Sequence, residues 1–112
     1  MKKIEAIIRE EKLDAVKKAL EERGYFGMTI TEVSGRGREG GLTLQWRVGE
    51  YKVDFLPKVK IEVVILDEDM PRILNAIMSN ARTGERGDGK LFVFPVENAV
   101  RIRTGEDGDS AI

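Results

Sequence analysis

Residues 58–66 read KVKIEVVIL, directly after Pro57. Val59, Ile61, Val63 and Ile65 alternate with Lys58, Lys60, Glu62 and Val64, the period of a β-strand with one apolar face. Proline cannot donate to a central ladder, so Pro57 marks the start of this strand. A strand so patterned needs partners on its edges and an apolar layer over one face. The rest of the chain has to supply both.

It does so in a simple order. Lys2–Arg9 reads as a strand in which Ile4, Ala6 and Ile8 share a face, with Ile7 breaking the polar side. Lys12–Arg23 reads as a helix with Leu13, Val16, Ala19 and Leu20 in one stripe, and Gly24 stands where a left-handed C-cap belongs. Met28–Gly35, rich in β-branched residues, reads as a second strand. Asp67–Ala81 reads as a second helix, capped by Asp67 or Asp69, with Pro71 in its first turn and a stripe of Ile73, Leu74, Ile77, Met78 and Ala81. Leu91–Phe94 is a short strand that Pro95 interrupts. Val100 and Ile102 suggest a last strand with Arg101 and Arg103 on its other face, and a polar, mobile tail follows. The β-α-β-β-α-β order is that of an α+β, ferredoxin-like sandwich. Two helices cover only one sheet face, and apolar residues on the other, Ile7 and Val64 among them, imply that sheets of several copies pack together.

Between the second strand and Pro57 lies RGREGGLTLQWRVGEYKVDF, residues 36–55, longer than the connections of most compact domains. Connections of this length usually serve function, and this one reads as a ligand-ordered arm on a rigid platform. Composition narrows what the platform can do. The chain has 112 residues, 19 Lys+Arg against 20 Asp+Glu, and neither cysteine nor histidine. That length makes one domain. The charge balance gives no support to nucleic-acid binding. The two missing residue types remove thiol chemistry, the usual metal ligand and the commonest general base. No apolar run reaches the length of a membrane span and the N-terminal apolar stretch is short for a signal peptide, so a cytoplasmic protein is expected.

Two groups suit anions. Gly84-Glu-Arg-Gly-Asp-Gly-Lys90 has the glycine and lysine spacing of a Walker A loop. However, Leu91 replaces the magnesium-binding hydroxyl, and a helix precedes and a strand follows, the reverse of a P-loop. Gly87 and Gly89 can still bring backbone N–H groups close to phosphates, with Lys90 as a point charge; taken alone, the segment is better explained as a plain glycine turn with a solvated lysine. Arg101 and Arg103, two apart on a strand, point the same way and match phosphate oxygens; separate salt bridges are the alternative. Lys58 and Glu62 share a strand face, where an acidic ligand and a ribose or base edge, or simple cross-strand pairing, would account for them.

Taken together, MKKIEAII, GMTITEVSGRGR, GEYKVDFLPKVKIE, ARTGERGDGKLFVFPVE and VRIRTGE resemble the PII signal-transduction proteins of nitrogen regulation, over the whole chain. The resemblance implies a non-enzymatic homotrimer of ferredoxin-like subunits, residues 1–112 forming one PII domain. It implies a protruding T-loop at 37–55, a phosphate-binding loop at 82–90 and a C-terminal segment at 101–112. ATP and ADP would compete in clefts between subunits. Gly35, Gly37, Arg38, Glu62 and Val64 would come from one subunit, and Met28, Thr29, Gly87, Asp88, Gly89, Lys90, Arg101 and Arg103 from its neighbour. The T-loop would act on an ammonium transporter, the only membrane association implied, or on enzymes and regulators of nitrogen assimilation. Arg47 is the residue the family inserts into the transporter exit, and Tyr51 occupies a position that many relatives uridylylate; Trp46, of a type favoured at interfaces, reads equally as a partner contact or as packing within the arm or on the trimer. A PII-like trimer sensing another metabolite, or a weak ATPase, is the alternative.

One position departs from the family. Beside Arg38 the family has a glutamine that helps hold magnesium when 2-oxoglutarate binds next to ATP, with Lys58 on the acid's carboxylate. Here it is Glu39. A carboxylate can ligate magnesium, yet it adds negative charge beside a triphosphate and a dianion. Two unit charges about 4 Å apart interact by about 4 kcal/mol at an effective dielectric constant of 20. The expectation is retained nucleotide binding with weak or absent 2-oxoglutarate binding.

Overall fold

The computed structural model describes residues 1–36, 42–46, 49–53 and 55–112, the backbone alone for 42–46 and 49–53. Gly37, Arg38, Glu39 and Arg47 lie outside the described residues, as do the side chains of Trp46 and Tyr51.

Strand β1 is Lys2–Ile8, helix α1 Leu13–Glu22, β2 Thr29–Gly35, β3 Leu42–Trp46, β4 Gly49–Val53, β5 Leu56–Ile65, α2 Met70–Ala81 and β6 Gly89–Pro95. Four strands form one sheet in the order β2-β5-β1-β6, while β3 and β4 pair separately as an antiparallel ladder. All the pairings in the larger sheet are antiparallel, with Ile4 opposite Val63 on one side and Val93 on the other. This is the expected ferredoxin-like arrangement, with β5 and β1 central.

Alternation places the core. Ile4, Ala6, Ile8, Val59, Ile61, Val63 and Ile65 are buried beneath Val16, Ala19, Leu20, Ile73, Ala76, Ile77 and Ala81 of the two helices. Met78, expected in the stripe of α2, is instead partly exposed at its edge, and Ala76 takes the inward position. The small alanine side chains there allow α2 to sit close to its neighbours. Helix α1 ends as a Schellman motif: Gly24 has φ +86°, its amide donates to the Glu21 carbonyl at 3.0 Å, and the Tyr25 amide donates to Leu20 at 3.0 Å.

Three local expectations are corrected. Neither Asp67 nor Asp69 caps α2 through its side chain. The chain enters by a 3₁₀ turn at Asp67–Asp69; Asp67 pairs with the N-terminal ammonium at 3.0 Å, and Asp69 accepts from Tyr25 at 2.5 Å and Arg72 at 3.0 Å. Strand β6 is longer than Leu91–Phe94, because Gly89 and Lys90 already pair with Ile8 and Ile7, and Pro95 ends it. Finally, Val100–Arg103 is not a strand. Val100 makes one bridge to Asp107, the Arg101 amide donates to the Glu106 carbonyl at 2.8 Å, and the Gly105 amide returns to Arg101 at 2.8 Å. Gly105 and Gly108, with φ of +75° and +69°, fold the segment back on itself, and the tail closes in a 3₁₀ turn at Gly108–Ala111.

The sheet face away from the helices carries Lys3, Glu5, Ile7, Lys60, Glu62, Val64, Phe92 and Phe94, and no described element covers it. At its centre Lys3 lies 3.1 Å from Glu5 and 3.7 Å from Glu62, and Lys60 lies 3.3 Å from Glu62. The Lys3 ammonium also sits 5.1 Å from the Phe94 ring centre. Hydrogen bonding to Glu5, with the charges of Glu5 and Glu62, raises the Lys3 pKa.

Ile61 is fully buried in β5 between β1 and β2. Replacing it with alanine removes packed atoms from both helices' contact layer. The expected loss is about 2–5 kcal/mol of unfolding free energy, read from urea denaturation midpoints with an unchanged m-value.

Candidate functional site

Among the described residues, those singled out in the sequence, Arg103 apart, gather in two clefts at opposite ends of the open sheet face. They are separated along β5 by the four-residue interval from Lys58 to Glu62, about 13 Å at the usual strand rise.

The first cleft, of about 710 Å³, is lined by Met28, Thr29, Glu62, Val64 and Arg101, together with Lys3, Tyr25, Phe26 and the end of the chain. Thr29 and Glu62 are register partners, so β-pairing alone puts them side by side. Arg101 arrives from the folded-back C-terminal segment, with Nη1 3.0 Å from Glu106 and Nη2 donating to the Ser110 carbonyl at 3.3 Å. Its salt bridge is the alternative left open by the sequence. Arg103 is exposed and does not line the cleft, since the turn at 101–104 abolishes the strand alternation that would have paired the two arginines. Below the cleft, the Tyr25 hydroxyl donates to Asp69 at 2.5 Å and accepts from the Leu66 amide at 3.1 Å, tying the entry of β2 to the entry of α2. Burial, then the hydrogen bond to Asp69, raise the Tyr25 pKa; the hydrogen bonds from Tyr25 and Arg72 lower that of Asp69.

The second cleft, of about 510 Å³, is lined by Gly35, Lys58, Gly87, Asp88, Gly89 and Lys90, with Ile7, Arg36 and Phe92. Lys58 is almost wholly buried, and its ammonium donates to the Gly87 carbonyl. Glycine is required at two of these positions. A Cβ on Gly89, at φ +104°, would lie 1.7 Å from the Ile7 carbonyl oxygen, inside the backbone of β1. On Gly87, at φ +94°, it would lie 3.3 Å from the Arg9 guanidinium and 3.4 Å from the Lys58 ammonium. These two glycines let the loop backbone run close to β1 and to Lys58, and Arg36, Lys58 and Lys90 outnumber the carboxylates of Glu85 and Asp88 in the lining.

The Asp88 side chain is engaged within its own loop and with Arg9. Its carboxylate accepts from the Thr83 amide at 2.9 Å, the Thr83 hydroxyl at 2.5 Å, the Gly84 amide at 2.9 Å and Arg9 Nε at 3.0 Å. With its acceptor positions so occupied, the side chain holds the 83–88 loop closed, and only its backbone is free to meet a ligand. The hydrogen bonds from Thr83, then those from Arg9 and Gly84, hold this carboxyl far below the usual carboxylate range. Arg9 also donates to the Arg86 carbonyl at 2.6 Å. Nothing in the sequence marked Arg9, which lies 79 residues from Asp88; Thr83 carried a weak signal as a hydroxyl beside a glycine turn.

Within one chain, Met28 and Thr29 share a cleft with Glu62, Val64 and Arg101, and Gly35 shares one with Gly87–Lys90 and Lys58. Among the described residues no cluster of three or more acidic groups is arranged to hold a metal ion, and no helix is long and apolar enough to cross a membrane.

Residues 1–106 match the family model described as nitrogen regulatory protein P-II. The chain belongs to the P-II family. A nitrogen regulatory protein P-II of Azospirillum brasilense is 60% identical over 112 residues, covering all of both chains. That of Pasteurella multocida is 55% identical with the same full coverage. A "nitrogen regulatory protein P-II 2" of Methanothermobacter thermautotrophicus is 54% identical, spanning all of this chain and 97% of the other. P-II proteins are signalling regulators that act on partner proteins and are not in general enzymes, so the two clefts of this P-II chain are read as binding surfaces.

Two variants probe the second cleft. Gly89→Ala combines backbone strain of about 1–3 kcal/mol with a clash against β1, and should cost more than about 3 kcal/mol in a denaturation measurement. For Asp88, the unfolded chain binds the proton that the folded loop excludes. The stability it contributes is thus present above the unfolded aspartate pKa of about 3.9 and lost as pH falls below it. Asp88→Asn should lower stability at neutral pH, flatten the fall of the urea midpoint below about pH 4, and speed hydrogen exchange at the Thr83 and Gly84 amides.

Proposed function

We propose that this protein signals nitrogen and energy status from the cytoplasm. It binds ATP or ADP in competition at the interfaces of a homotrimer and controls an ammonium transporter, or enzymes and regulators of nitrogen assimilation, through the arm at 37–55. The observation that carries this reading is the pair of clefts at opposite ends of one uncovered sheet face. In a head-to-tail ring, the Thr29 cleft of each subunit meets the Lys58 cleft of the next, and a ligand spanning both reports on the assembly. Lys58, Lys90, Arg101 and the amides around Gly87 and Gly89 suit the phosphates; Thr29, Glu62 and Val64 suit the nucleoside. Full-length identity to P-II proteins from bacteria and an archaeon supports the same reading.

The arm joins the platform at Gly35 and Arg36, which line the Lys58 cleft, and returns at Phe55 beneath Arg36, whose guanidinium is 5.7 Å from the ring centre. A ligand at that base biases the arm by its differential contacts with the arm's alternative shapes. Arg47 and Trp46 are the proposed partner contacts, and Tyr51 a proposed modification site. Glu39 sets this chain apart: its charge beside the triphosphate disfavours the magnesium and 2-oxoglutarate site, and Lys58 already has a partner in the Gly87 carbonyl.

Calorimetric titration, with light scattering at micromolar protein, tests the reading. ATP and ADP should each bind and displace one another on a trimeric particle. In the presence of magnesium and ATP, 2-oxoglutarate should not bind at micromolar levels, and Glu39→Gln should restore its binding. Absence of nucleotide binding, or a monomeric mass, would overturn the proposal; micromolar 2-oxoglutarate binding by the unaltered protein would overturn the role given to Glu39.

A further inference from the structure

Arg101 is the one residue of the 101–106 turn that lines the Thr29 cleft, and it is held from three sides. Its amide donates to the Glu106 carbonyl at 2.8 Å, its Nη1 lies 3.0 Å from Glu106 Oε1, and its Nη2 reaches the Ser110 carbonyl at 3.3 Å. Of the acidic side chains that line the cleft, Glu62 is engaged by Lys3 and Lys60 and Asp69 by Tyr25 and Arg72, while Arg101 pairs with Glu106 rather than with the lining residue Asp109. We propose that Glu106 is a built-in counter-ion of the arginine that lines this cleft, occupying the guanidinium that a ligand's phosphate needs, so that binding is an exchange of the carboxylate for the phosphate. The inference rests on the nucleotide-binding reading above.

The exchange follows from the strength and placement of the pair. The Arg101 and Glu106 side chains are 39% and 46% exposed, and ion pairs so open to water are weak. A phosphate offers the guanidinium a stronger, bidentate partner. Glu106 nevertheless competes well, because the Val100–Asp107 bridge and the hydrogen bond from the Gly105 amide to Arg101 hold it next to the arginine. Its local concentration is that of a tethered group. The carboxylate thereby acts as a threshold: a ligand of high negative charge displaces it, and an uncharged nucleoside has nothing to offer Arg101 in its place.

Calorimetry of ATP, inorganic tripolyphosphate and uncharged adenosine on the intact protein, Glu106→Gln, Arg101→Gln and Arg101→Gln/Glu106→Gln tests this. Glu106→Gln should bind ATP and tripolyphosphate about twofold to fivefold more tightly, the scale of an exposed ion pair removed. Adenosine binding should not change. Against Arg101→Gln alone, the second substitution should add nothing. Unchanged or weakened ATP binding by Glu106→Gln, with the intact protein binding ATP normally, overturns the inference and leaves the nucleotide reading standing. A gain that persists without Arg101 also overturns it. If neither ATP nor tripolyphosphate binds any of these proteins, both readings fall.

Discussion

The register between β5 and β1 is the constraint on which the rest of this molecule depends. Val59, Ile61, Val63 and Ile65 face the helices together with Ile4, Ala6 and Ile8, and the intervening residues necessarily face the other way. A slip of one residue would turn lysines and a glutamate into the core and the isoleucines out of it. The hydrophobic layer that stabilises the fold therefore also aims Lys58, Glu62 and Val64 at the open face. Core and candidate site are two sides of one ladder, so the site needs no separate scaffold to orient it.

The 82–90 loop depends on that ladder in turn. Gly89 lies against the Ile7 carbonyl at a distance only a glycine allows, which brings the loop's last turn onto β1. Asp88, one residue earlier, gathers the loop's own amides and reaches Arg9 just beyond the end of β1. The loop is thus fastened to β1 by a steric requirement on one residue and by a charged network on the next. Its polar backbone is organised before any ligand arrives, which lowers the ordering cost of binding.

Regular periodicity made most of this legible in the sequence. The alternation after Pro57, the stripe of α1 and the glycine at its end predict elements that the structure contains, because each is set by local geometry and by which side must be dry. The C-terminal segment shows where that reasoning stops. Val100 and Ile102 alternate with two arginines as a strand would, but Gly105 and Gly108 turn the chain back before a partner strand is reached, and Val100 is left with one bridge. Alternation states which residues could share a face; it does not say whether an edge is available to pair with. The anchoring of Asp88 was illegible for a related reason: Arg9, 79 residues away in the chain, meets it only through the fold.

The ionic cross of Lys3, Glu5, Lys60 and Glu62 on the open face has a consequence for whatever lies against it. Each of these four charges has a partner in the same chain, so the centre of the face is electrically closed, and Ile7, Val64, Phe92 and Phe94 beside it are apolar. A covering surface need not bring compensating charges, and desolvation falls on ion pairs rather than on isolated ions, whose burial is far more costly. Such a face discriminates by shape and apolar fit, with little long-range attraction to sort partners by charge. Contacts on it are consequently less sensitive to salt than contacts across faces of opposite charge.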